Sequence, residues 1–205
     1  MTDDLKRAGV DQSWAHTFVV ESNLIDPQPG ENAPGSPLYD LHMQALLYAI
    51  HAGVNDHYAL PREAHKILLG DHPFAGVART QRIRVGFREM LHPRRVPHYS
   101  WRWDADARER IGALRTRRQD ATSEERQAEI WELHCELMNI RPFELFNGRV
   151  GRILMINQAI LVGEEPWIVL NEDRTAYLDL IQSHPSASWP DEPLYRPSAI
   201  SYREW

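Results

Sequence analysis

A chain of 205 residues is long enough for one well-filled core and short for two. With 42% apolar and 25% charged residues it has the make-up of an ordinary globular domain, and a net charge of −6 argues against a sequence-independent grip on nucleic acid. The lone Cys135 rules out an internal disulfide, no apolar run approaches the roughly 18 residues of a membrane span, and Met1–Arg7 lacks an apolar signal core, so a cytoplasmic protein with no membrane partner is expected.

In chain order, residues 1–13 read as an N-terminal segment. The first strong helix is bounded by Ser36-Pro37, which suit an N-cap and a first turn, and by Gly53 at the exit. Leu41, Ala45, Tyr48 and Ala52 recur along it at helical spacing. A second helix runs from Pro61 to Leu69, stopped by Gly70. Gln81-Arg82-Ile83-Arg84-Val85 alternates polar and apolar as a short strand does, within a region punctuated by Gly76, Gly86, Pro93 and Pro97, which reads as loop and hairpin. Asp104 to Arg118 reads as a charged helix. Thr122-x-x-Glu125 is a capping box opening a long helix that ends near Ile140, because Arg141 precedes a proline. Another helix is expected from about Val150 to Leu161. Ser183–Trp205, rich in Pro, Ser and aromatics, reads as an extension that wraps the surface or meets a partner. The fold class expected is mainly α with a small β-hairpin.

The most informative stretch is Ile140 to Arg152. It places Asn147-Gly148 and two arginines, Arg149 and Arg152, at the mouth of the apolar run Ile153-Leu154-Met155-Ile156. A helix opening this way points free N–H groups and its positive dipole end into the turn. Arg149 and Arg152 are three apart and share a face. The construction suits a phosphate, although arginines at this spacing also serve as salt-bridge partners.

Pro142, Phe143, Asn147, Gly148, Arg149 and Arg152 fall in the register of the signature His-Pro-Phe-x-Asp/Glu-Gly-Asn-Gly-Arg-x-x-Arg, and the segment resembles that of the Fic family. Three positions depart. Arg141 stands where the family has its catalytic histidine, Leu145 where it has the metal-holding acid, and Phe146 where it has the first glycine of the anion-binding loop. Two further matches lie outside the motif. Ser22-Asn23-Leu24-Ile25-Asp26-Pro27 keeps the frame of the family's inhibitory helix, with Asp for Glu and Pro for Gly. Gly76-Val77-Ala78-Arg79 precedes the flap strand Gln81, Arg82, Ile83, Arg84, Val85. The resemblance implies a Fic-type helical bundle with a hairpin flap over residues 14–182.

Fic enzymes typically transfer AMP from ATP to a hydroxyl of a target protein, with the histidine as base, the acid holding magnesium and the Gly-Asn-Gly turn with both arginines neutralising phosphate. Arg141 stays protonated and cannot be that base. Leu145 cannot bind magnesium, which needs oxygen ligands. The expected cofactor is therefore ATP or another nucleotide on Asn147, Gly148, Arg149 and Arg152, with no metal site among the residues named. Glu144 is either a displaced metal ligand or a solvated acid. Arg141 either joins the two motif arginines or plugs the pocket by pairing with Glu144 or the Asp26 region, and Asp26 can block the pocket by pairing with a motif arginine. His72-Pro73-Phe74 reads as a flap-entry loop, His92 and His98 do not have zinc-ligand spacing, and His134 and Cys135 read as core residues. Three functional readings stay open: a divergent member lacking AMP transfer, an active transferase with altered residues, and a catalytically dead module that binds a protein partner or regulates an active relative; a homo-oligomer is compatible with each. A chance Asn-Gly-Arg in an unrelated helical protein is the remaining reading.

Overall fold

The computed structural model describes residues 10–27, 34–53 and 59–191. Most of the N-terminal segment and residues 192–205 of the C-terminal extension lie outside the described residues. Within them are seven α-helices and one hairpin: α1 (Gln12–Ile25), α2 (Pro37–His51), α3 (Leu60–Leu69), β1 (Arg84–Val85), β2 (Arg88–Glu89), α4 (Val96–Thr116), α5 (Ser123–Ile140), α6 (Asn147–Val162) and α7 (Arg174–Ser183). Short 3-10 turns sit at Pro93–Arg95, Asn171–Asp173 and Pro185–Asp191.

The local signals act as chemistry dictates. Ser36 accepts the Tyr39 N–H and Pro37 takes the first turn of α2. At α5 both bonds of the capping box form: the Glu125 N–H donates to Thr122 Oγ1 at 3.2 Å, and the Thr122 N–H donates to Glu125 Oε2 at 2.8 Å. Helix α1, which the sequence suggests only as an inhibitory segment, is capped by Asp11, whose carboxylate accepts the Trp14 N–H at 2.7 Å.

Helix α6 is the axis of the bundle. It is buried almost all round and packs against α1, α2, α3, α4 and α5. Such a helix lies inside a fold and must satisfy its polar groups there. Asn157 does so by donating to the Ala49 and Ala52 carbonyls at 2.7 and 2.9 Å, which finishes the C-terminal end of α2. The crossing of α5 and α6 depends on Gly151, where a Cβ would lie 2.4 Å from Met138 Cε and 2.9 Å from His134 Cε1.

Four elements differ from expectation. Helix α4 starts at Val96 instead of Asp104, because Pro97 falls in its first turn, where a missing N–H costs nothing. Helix α6 starts at Asn147 instead of Val150, so the Asn-Gly pair is its first turn. The strand expected over 81–85 pairs only through Arg84–Val85, joined to β2 across Gly86-Phe87, with Gly86 at φ +60°. The Gln81 amide is instead engaged by Glu144. Helix α7 carries no cap bond from a side chain and gave no boundary signal.

The α5–α6 contact sets the site, so it is the place to test the fold. Gly151→Val should lower stability by about 1–3 kcal/mol through overpacking. Urea unfolding checks this, and an unchanged midpoint would mean that the two helices do not meet there.

Candidate functional site

The turn between α5 and α6 is bracketed by two non-glycine residues in the left-handed region, Arg141 at φ 47° and Phe146 at φ 58°. Such residues cost of order 1–3 kcal/mol each and persist only where their surroundings fix them. Several contacts do so here. Asn147 and Phe143 bond reciprocally, the Phe143 N–H donating to Asn147 Oδ1 at 2.9 Å and Asn147 Nδ2 to the Phe143 carbonyl at 2.8 Å. Phe143 stacks on His65 with ring centroids 3.9 Å apart. His65 accepts the Gly76 N–H on Nδ1 at 3.0 Å, which leaves Nε2 to donate to the Leu145 carbonyl at 3.2 Å. The buried Arg79 guanidinium collects the carbonyls of Arg141 at 2.6 Å, Gln81 at 2.9 Å and Ile140 at 3.3 Å, and that of Leu91. The Arg149 guanidinium lies 4.3 Å over the Phe146 ring and helps hold it.

Into this turn runs the C-terminal end of α1. Arg152 donates from Nε to Ser22 Oγ at 2.8 Å, and from Nη2 to the Ser22 carbonyl and to Asp26 Oδ2, both at 2.9 Å. Arg149 donates to the Asp26 carbonyl and Arg174 to the Ile25 carbonyl, each at 2.8 Å. Behind Arg152, the Tyr177 hydroxyl lies 3.5 Å from Nη1 and shares a 2.8 Å hydrogen bond with His134 Nε2. A Cβ on Gly148 would sit 2.3 Å from Asp26 Oδ2, so the carboxylate occupies space that only a glycine leaves open. Burial works to raise the Asp26 pKa. The Arg152 charge and hydrogen bond, with Arg141 and Arg149 beyond, overcome this and hold the carboxyl below its ordinary range.

A family model described as the Fic/DOC family matches residues 57–159, half of the chain. The chain belongs to the Fic/DOC family. A crystal structure of a Fic domain containing signaling protein from Bacteroides thetaiotaomicron VPI-5482 shares the fold, with a TM-score of 0.67 at 19% identity over 89% of this chain and 75% of that one. No curated protein matches the sequence.

Arg141 caps α5, its N–H donating to the Leu137 carbonyl at 2.9 Å. Its Nε is shut off from solvent with no hydrogen-bond partner among the described residues, and the carboxylate whose charge bears on it is Asp26. Glu144 spends Oε1 on the amides of Thr80 and Gln81, both at 3.1 Å, and so ties the flap to the motif turn. In the flap, Arg82 pairs with Glu89 at 2.8 Å, and Arg84–Val85 supply β1. The Asn147 side chain is used up in closing the turn. Of the sequence-derived site residues, the structure therefore gathers Ser22, Asp26, Gly148, Arg149 and Arg152 into one cluster, while Glu144 bonds to the flap.

Magnesium does not fit this donor set. It requires oxygen ligands, and Leu145, 40% exposed at the family's acid position, has none. The anion this cluster does hold is the Asp26 carboxylate, against Gly148 and Arg152.

Sequence reasoning missed His65 and Tyr177. Both bear on the motif only through the tertiary fold, His65 through the Leu145 carbonyl and Phe143 ring and Tyr177 through Arg152. Their environment yields a pH prediction. Burial depresses His65 to about 4 and His134 to about 3, and pushes His42 well down. Groups with depressed folded pKa values give full stability above the unfolded value near 6.5, and lose it as pH falls toward the folded values. Asp26 adds to the loss at the acid end, while the buried Asp104, whose pKa is raised, offsets part of it. The melting temperature should therefore fall between pH 7.5 and 4.5, and by less in His134→Gln. An equal fall in both proteins would remove His134 from the account.

Proposed function

We propose that this Fic protein binds a phosphate-bearing ligand such as a nucleotide in the pocket of Gly148, Arg149 and Arg152, that Asp26 of its own α1 holds that pocket closed, and that AMP transfer to protein hydroxyls has been lost. The observation that carries the reading is the Asp26 carboxylate seated between Gly148 and Arg152. An intramolecular carboxylate at a helix N-terminus, met by guanidinium groups, imitates the anion such a site receives. The pair is asymmetric. Arg152 has a side chain only 3% exposed, while that of Asp26 is 44% exposed, so the acid can leave without moving the base.

Loss of transfer follows from the motif. A missing general base lowers rate by about 10²–10⁴-fold. With Leu145 in the acid's place and Glu144 committed to two flap amides, the usual metal-assisted positioning of phosphates has no ligand.

A second reading, a module that binds a protein partner or a second copy, draws support from Phe87, fully exposed at the hairpin tip, and from the exposed Phe74, Val77 and Leu145. Two measurements separate the readings. Radiolabelled ATP with magnesium should label neither the protein nor lysate proteins. ADP titrated by calorimetry should bind Asp26→Asn at least tenfold more tightly than the wild type. Strong labelling that vanishes in Arg149→Ala would restore the transferase, and absence of ADP binding in both proteins would leave the partner module.

A further inference from the structure

The position that most alters the chemistry of this pocket is Arg141, a permanent cation in place of a titratable base. Its backbone is pinned in the left-handed region by the helix end and by Arg79, which donates to the Arg141 carbonyl at 2.6 Å. Its side chain borders a cavity of about 20 Å³ between the hairpin, the end of α5 and α7, whose other lining includes Arg88, Met138, Asn139 and Leu178. No carboxylate lines that cavity, which has room for about one water-sized atom, the size of a single phosphate oxygen. Arg141 Nε is buried and lacks a hydrogen-bond partner among the described residues. A buried N–H without an acceptor is costly, and on a guanidinium group it favours a negatively charged partner. Asp26, the carboxylate whose charge bears on Arg141, is seated against Gly148 and Arg152 with its side chain 44% exposed.

Divalent metal normally supplies the charge beside two neighbouring phosphates in phosphoryl-transfer sites. At the position of the family's acid stands Leu145, which has no oxygen to offer, and at the position of its histidine stands a permanent cation, Arg141. We infer that the pocket takes a diphosphate-bearing ligand without a divalent metal, one phosphate group replacing the Asp26 carboxylate between Gly148 and Arg152 and the neighbouring one drawn to Arg141. This rests on the phosphate-pocket reading above and adds to it the ligand class and the source of the neutralising charge. Magnesium coordinated to the ligand competes with the guanidinium groups for the same oxygens, so it does not strengthen binding.

The test uses the full chain with Asp26→Asn to open the pocket, and ADP as the probe. Calorimetric titrations are run with EDTA and with magnesium, on Asp26→Asn alone and combined with Arg141→Gln or Arg141→Lys, after melting curves show that each variant is folded. The expected result is binding in EDTA that magnesium leaves unchanged or weakens, a loss of at least tenfold with Arg141→Gln, and recovery of most of that loss with Arg141→Lys. Tenfold tighter binding with magnesium, or equal affinity for the Gln and Lys variants, overturns the metal-free assignment while leaving the phosphate pocket standing. Failure of ADP to bind Asp26→Asn under either condition overturns the pocket itself.

Discussion

The meeting of the C-terminal turn of α1 with arginines from two other helices is the interaction on which the site depends. Carbonyl groups at a helix C-terminus lack intrahelical partners and carry the negative end of the dipole. In α1 they belong to Ser22, Ile25 and Asp26, and they are met by Arg152, Arg174 and Arg149 respectively. The last turn of α1 contains no basic residue of its own, so the arginines of α6 and α7 complete it. In return α1 gives two deeply buried cations their acceptors. Truncating either side would leave a charged or polar group buried and unpaired, which costs more than the contact itself contributes. The Asp26 carboxylate is the exposed corner of this arrangement and the part most readily exchanged.

The motif turn is kept in shape by contacts from outside itself. Phe146 occupies a left-handed position suited to glycine, and its ring recovers part of that strain beneath Arg149. Glu144 and Arg79 link the flap to the turn from opposite ends: the acid receives flap amides, and the guanidinium group gathers carbonyls from both segments. His65 joins the Gly76 loop to Leu145 through its two ring nitrogens. These bonds run between elements far apart in sequence, so the turn is rigid because of the tertiary fold and not because of its own residues. Under the proposed reading, such a turn holds an anion in place and does not move a group.

The sequence made a good part of this visible. Caps at Ser36 and Thr122, the proline after Arg141 and the Asn-Gly-Arg-x-x-Arg spacing are local signals, and the corresponding elements form where the signals lie. The frame from Ser22 to Asp26 was legible as a pattern, but its contact with Arg152 spans 130 residues from Ser22 and no local rule reaches that far. Tyr177 and His65 escaped notice for the same reason. The start of α4 was misplaced because Pro97 in its first turn was read as loop punctuation, although proline is tolerated there. Glu144 was weighed as a metal ligand or a solvated acid; its bonds to two flap amides show a third role that depends on where the flap lies.

The central claim is that Asp26 occupies a phosphate site. A crystal structure of the Asp26→Asn protein soaked with ADP in EDTA tests it most directly. The account predicts a phosphate group against Gly148, within about 3 Å of the Arg152 guanidinium group, a charge-assisted hydrogen-bond distance. A substituted side chain still filling that place at saturating ADP, or ADP bound elsewhere on the protein, would contradict it.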